Sequence, residues 1–148
     1  EAYNKELQSK LRTIILNNEA LSFEQDTGDA DIILVAFGTA GRVARTVVKQ
    51  LRQAGIHAGL FRPITLWPFP EAELAKLAKT ARGFLVVEMN AGQMLHDVRE
   101  IVGTTIPVHF YGRMGGAIPM PDEIRKEAVA LYEKITAKKT EGSNGHRS

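Results

Sequence analysis

The chain has no cysteine. That excludes a disulfide framework, a thiolate zinc site, a thiol nucleophile and iron–sulfur ligation, so any redox centre must be supplied by another polypeptide. Long hydrophobic runs are also missing. The longest, Ile32 to Phe37, falls far short of the ~20 residues that cross a bilayer, and no signal peptide is visible. A soluble, cytoplasmic protein without a membrane partner is therefore expected. Charge of one sign is lacking too: 19 basic and 17 acidic residues are interspersed, for a net charge of +2. No basic stripe marks a nucleic-acid face, despite a pI near 9.0.

The motifs of common nucleotide and hydrolytic sites are absent as well. Gly38-x-x-Gly41 is not the G-x-G-x-x-G of dinucleotide binding, and Arg62 stands where an acidic residue would read a ribose hydroxyl. No P-loop, G-x-S-x-G elbow or H-E-x-x-H occurs. The four histidines, His57, His96, His109 and His146, have no metal-ligand spacing, so no metal site is expected. His57 and His109 lie within expected strands and read as packed or edge histidines.

What is present fits one globular domain: 148 residues, 44% hydrophobic and 24% charged. The chain opens on Glu1, not methionine, and a piece of a longer protein is expected. Leu7, Leu11, Ile14 and Ile15 make residues 1–18 an amphipathic connecting helix from an absent upstream domain. Residues 19–137 read as the domain itself, and 138–148 as a disordered tail. Within the domain, Ala20 to Glu24 alternates as a short edge strand, and Ile32 to Phe37 is apolar throughout, as in a strand covered on both faces. Val43, Ala44, Val47, Val48 and Leu51 stripe the helix that follows. Strand–helix units repeat through Phe84–Val87 and Pro107–Phe110 to a last helix opened by Pro121. A three-layer α/β/α fold follows, with a mostly parallel five-stranded sheet and one antiparallel edge strand.

Ligands meet such sheets at the carboxyl ends of the strands. The candidates there are Gly38, Thr39, Gly41, Arg42, Arg62, Glu88, Asn90, Gln93 and Arg113. Gly38 and Gly41 either cradle an anion or make a tight turn. Glu88 is either a general base or a structural acceptor paired with Arg62 or Arg113. The run Arg62-Pro63-Ile64-Thr65-Leu66-Trp67-Pro68-Phe69-Pro70 is stiff and apolar, because each proline fixes its own φ and extends the residue before it. Trp67 and Phe69, with Met114 from the glycine-rich segment Gly112–Gly116, are interface candidates, with one part of the aromatic pair in the core and the rest under a neighbour.

Four segments taken together, Val35–Ala40, Gly59–Pro70, Val86–Met94 and Tyr111–Gly116, resemble the alpha subunit of 2-oxoacid:ferredoxin oxidoreductases, in its transketolase C-terminal-like domain. The resemblance covers roughly Ala20 to Ile135. It implies a complex that decarboxylates a 2-oxoacid on thiamine diphosphate and Mg, passes electrons through iron–sulfur clusters to ferredoxin, and transfers the acyl group to coenzyme A. The implied partners are an upstream pyrimidine-binding domain, a beta subunit with the diphosphate-binding domain, and a gamma subunit. Gly28-Asp29-Ala30 departs from the Gly-Asp-Gly opening of the diphosphate motif, so no cofactor residue carries over and no catalytic residue is assigned. The expectation is a supporting domain, inert alone. The alternatives are a free-standing nucleotide- or anion-binding module and a dimerisation domain of a transketolase or dehydrogenase E1-beta relative.

Overall fold

The computed structural model describes residues 4–10, 20–89, 92–113 and 117–144, with side chains to residue 137. Helix α1 (residues 4–10) is exposed along its length. After it come β1 (Ser22–Gln25), β2 (Ile32–Ala36), α2 (Thr39–Gln53), β3 (Ala58–Pro63), α3 (Glu71–Leu77), β4 (Gly83–Glu88), α4 (Gln93–Val102), β5 (Val108–Gly112) and α5 (Pro121–Asn144). The sheet order is β1-β3-β2-β4-β5. Only β1 runs antiparallel, pairing Phe23 with Arg62 and Glu24 with Phe61; the other three pairings are parallel.

The period-2 alternation of strand side chains divides the core into two layers. Ile32, Leu34 and Ala36 of β2, with Leu60, Leu85 and Val87, pack under α2 and α5. Their neighbours Ile33, Val35, Phe61, Phe84 and Val86 pack under α3 and α4. A strand buried on both faces needs no polar side chain, which is why β2 and β4 read as unbroken apolar runs. The turn before β2 is tied to α2 by Arg52. Its Nε donates to the Ala58 carbonyl at 2.7 Å, and its Nη2 donates to the Asp26 carbonyl and to Asp29 Oδ1, each at 2.6 Å. That hydrogen bond holds the Asp29 carboxyl below its ordinary value.

Beyond shifts of one or two residues at β1 and β5, the ends of α5 and β3 differ from the expectation. Helix α5 continues to Asn144, into the segment expected to be a tail. The stretch Ala137–Glu141 is rich in alanine, lysine and glutamate, which propagate a helix without an apolar stripe to announce it. His57 precedes β3 instead of lying within it, and its carbonyl accepts the Asp31 N–H at 2.8 Å.

His109 does lie in a strand, on β5. Burial, and then the nearby Lys134 charge, hold its pKa below the usual 6.5. A base with a depressed folded pKa binds fewer protons folded than unfolded, so stability is full above pH 6.5 and falls as pH drops toward the folded value. Thermal unfolding between pH 7.5 and 5 should show that fall, and His109→Gln should flatten it; an identical slope in the variant would place the titration elsewhere.

Candidate functional site

Helix α2 carries the chain from β2 outward to β3, and α3 carries it back across β2 to β4. The connections therefore diverge between the carboxyl ends of β2 and β4, the switch point where ligands meet open α/β sheets. A cavity of about 490 Å³ opens there, lined by Phe37, Gly38 and Thr39 after β2, by Val87, Glu88 and Met89 of β4, and by Leu66, Gln93, Met94 and Asp97. It is mostly apolar, with a few polar groups at its edge, as binding clefts are.

Glu88 is its one buried carboxylate, 8% exposed. Its Oε1 accepts the Met94 N–H at 2.8 Å and its Oε2 the Leu95 N–H at 3.2 Å. These amides are orphans of the first turn of α4, whose N-cap is Gly92 in the left-handed region (φ 89) and brings no side chain to cap them. A carboxylate delivered from the end of β4 does so instead, and it also complements the positive end of the helix dipole. The expected pairing of Glu88 with Arg62 or Arg113 is thus corrected: its acceptors are spent on backbone. Arg113 bonds it only through the main chain, its N–H donating to the Glu88 carbonyl at 3.2 Å, while Nη1 reaches the Ile118 carbonyl at 3.4 Å.

Arg62 lies instead along the first turn of α2. A Cβ on Gly41 would come within 2.9 Å of Arg62 Cδ and Nε, so glycine at 41 makes room for that side chain. Gly38 is the N-cap of α2, with no side-chain cap, and Arg62 joins it, Phe37, Phe23, Pro63 and Ile64 around a second hollow of about 450 Å³. Thr39 and Arg42 are exposed on α2, and Gln93 is exposed on α4. The rim thus gathers Gly38, Thr39, Gln93 and Glu88 around one cavity and Arg62 beside it. Asn90 and Met114 lie outside the described residues.

The proline-rich loop has a fastening that sequence reading missed. Thr65 Oγ1 accepts the Leu21 N–H at 3.0 Å and donates to the Pro68 carbonyl at 2.8 Å. The Leu21 carbonyl accepts the Ile64 N–H at 2.8 Å. These bonds hold the loop to the start of β1; the Trp67–Pro68 peptide is cis. Phe69 packs on the α3–α4 side of the core. Trp67 is 75% exposed, and Leu66 at 45%, Phe37 at 42% and Ile64 at 54% extend the apolar surface. Of the expected division of the aromatic pair, the loop shows Phe69 partly buried on the core and Trp67 exposed. The signal for the fastening was a lone threonine among apolar and proline residues, a type that bonds local backbone in turns.

The iron–sulfur clusters do not fit this chain, which has no cysteine. Among the described residues no group of three or more His, Asp or Glu side chains is placed to share a metal ion, and no helix is long and apolar enough to cross a membrane.

Topology and rim together define a transketolase-like α/β domain. A family model described as pyruvate:ferredoxin oxidoreductase core domain II matches residues 30–124. The chain is 42% identical over 127 residues to the ketoisovalerate oxidoreductase subunit VorB of Methanothermobacter thermautotrophicus, covering 85% of this chain and 36% of that one. It is 39% identical over 105 residues to the 2-oxoglutarate synthase subunit KorA of Methanothermobacter marburgensis, covering 71% and 28%. Among solved structures, the 2-oxoglutarate:ferredoxin oxidoreductase from Magnetococcus marinus, with 2-oxoglutarate, coenzyme A and succinyl-CoA bound, matches with a TM-score of 0.68 at 25% identity, over 88% of this chain and 24% of that one. A split gene transketolase, an inactive beta4 tetramer, shares the fold, with a TM-score of 0.61 at 20% identity over 78% of this chain and 42% of that one. The chain belongs to the pyruvate:ferredoxin oxidoreductase core domain II family, and it spans about a third of the length of the curated relatives it matches.

Proposed function

We propose that the chain is the C-terminal domain of an alpha-type subunit in a thiamine-diphosphate-dependent 2-oxoacid:ferredoxin oxidoreductase, where it docks against the catalytic domains and lines the approach of substrate or coenzyme A. The observation that carries this reading is the 75% exposed Trp67, on a loop fastened through Thr65, beside the switch-point cavity whose buried carboxylate, Glu88, is engaged with backbone amides. An aromatic on a fastened loop loses little entropy when covered, which suits an interface anchor. Diphosphate binding and the redox clusters fall to partners: the upstream pyrimidine-binding domain, a beta subunit and a gamma subunit. Gly38, Thr39, Arg42 and Arg62 are the rim groups that an approaching anionic substrate or coenzyme would meet. When bound between partners, thiamine diphosphate supplies the carbanion chemistry; this chain's residues order the wall of the approach.

The test is functional complementation. Assembled with its partner subunits, the subunit containing this domain should support 2-oxoacid-dependent ferredoxin reduction, and the 148-residue chain alone should not. Turnover by the isolated chain, or full turnover by a complex lacking the domain, would overturn the assignment.

A further inference from the structure

We propose that the partner segment seated on Trp67 is basic, with a lysine or arginine that meets Asp97 beside an apolar residue lodged at Leu66. This rests on the docking role proposed above and adds the partner's chemistry. Leu66 and Asp97 line both the switch-point cavity and a neighbouring hollow of about 560 Å³, which Trp67, Phe69, Glu71 and Glu73 help to complete. Among the described residues, no lysine, arginine or histidine forms an ion pair with any of these three carboxylates; the pairs present lie elsewhere. Glu71 and Glu73 occupy the first turn of α3 and so complement the positive end of its dipole. Asp97 lies midway along α4, where the dipole gives it no such role.

Asp97 is half-buried already, next to the most exposed large apolar side chains of the rim. A partner that covers Trp67 and Leu66 removes more water from this carboxylate. A purely apolar partner would leave it buried and unpaired, and an acidic one would add like-charge repulsion. A cation relieves both costs, and the open face of an indole attracts one as well. Charge complementarity therefore selects an apolar segment bearing a basic side chain. The positive Arg62 belongs to the separate hollow beyond Phe37, away from this acidic end.

The experiment measures assembly of the full subunit with its partners at about 50 mM and about 500 mM salt, since screening shortens electrostatic reach across that range. Asp97→Lys should weaken assembly at least tenfold at low salt and by less at high salt, with Asp97→Asn in between. Glu73→Lys, on another helix, repeats the test should Asp97→Lys lower the melting temperature. Assembly by both lysine variants as tight as the unchanged subunit, or a loss equal at both salts, would overturn the basic partner. Trp67→Ala in the same assay separates the two ideas: if it weakens assembly while the lysine variants do not, docking stands and the partner's charge is wrong. If it changes nothing, docking itself fails.

Discussion

Glu88→Ala should lower the stability of the domain by on the order of 2–4 kcal/mol, since the buried Met94 amide and the partly buried Leu95 amide both lose charge-assisted acceptors. In a chain of this size that corresponds to a drop of roughly 6–12 °C in melting temperature. The damage should be local first. Met94 and Leu95 N–H groups should exchange with solvent faster than amides of the central strands, because the first turn of α4 loses the carboxylate that caps it. Glu88→Gln should also destabilise, since its NH₂ would face one of the two donating amides. A general base would behave otherwise, losing turnover with the melting temperature intact. Hydrogen exchange and thermal unfolding together distinguish the two roles, and an unchanged melting temperature for both variants would refute the cap.

The contrast between Glu88 and the strands shows which features can be read along a chain and which cannot. The run Ile32–Ala36 and the stripe Val43 to Leu51 declare β2 and α2 because burial acts on side chains, and side chains are what a sequence spells out. Prolines at 63, 68 and 70 likewise announce a folded loop, in which Trp67 is exposed and Phe69 partly buried. Sequence points Glu88 toward arginines because charges are visible there, whereas its partners in the fold are backbone amides, identical at every position. Only the αL glycine at 92 hinted at a helix start in need of a cap from elsewhere. Asp97 and Thr65 went unnoticed for a related reason: each matters through a neighbour remote in sequence, Asp97 through Leu66 and Thr65 through Leu21. The last turns of α5 were missed because propensity alone extends them, without an apolar period.

Trp67→Ala should leave the fold nearly as stable as before and weaken assembly about 30-fold or more. The ring is 75% exposed, so truncation uncovers almost no cavity and releases little buried surface. The same change at Phe61, fully buried in β3, removes a ring packed under α3 and α4 and should cost about 3–5 kcal/mol. At an interface the ranking inverts. A tryptophan presented by a loop that Thr65 fastens is the kind of anchor whose loss costs 2 kcal/mol or more of binding, about 30-fold in affinity. Thr65→Ala should weaken assembly too, by freeing the loop without removing the ring, and Thr65→Ser should restore it because the hydroxyl's two bonds return. Unfolding curves for the chain and sedimentation of the full complex check both halves. A Trp67→Ala protein that melts several degrees lower, or that assembles as tightly as the parent, would show that the ring's role is internal.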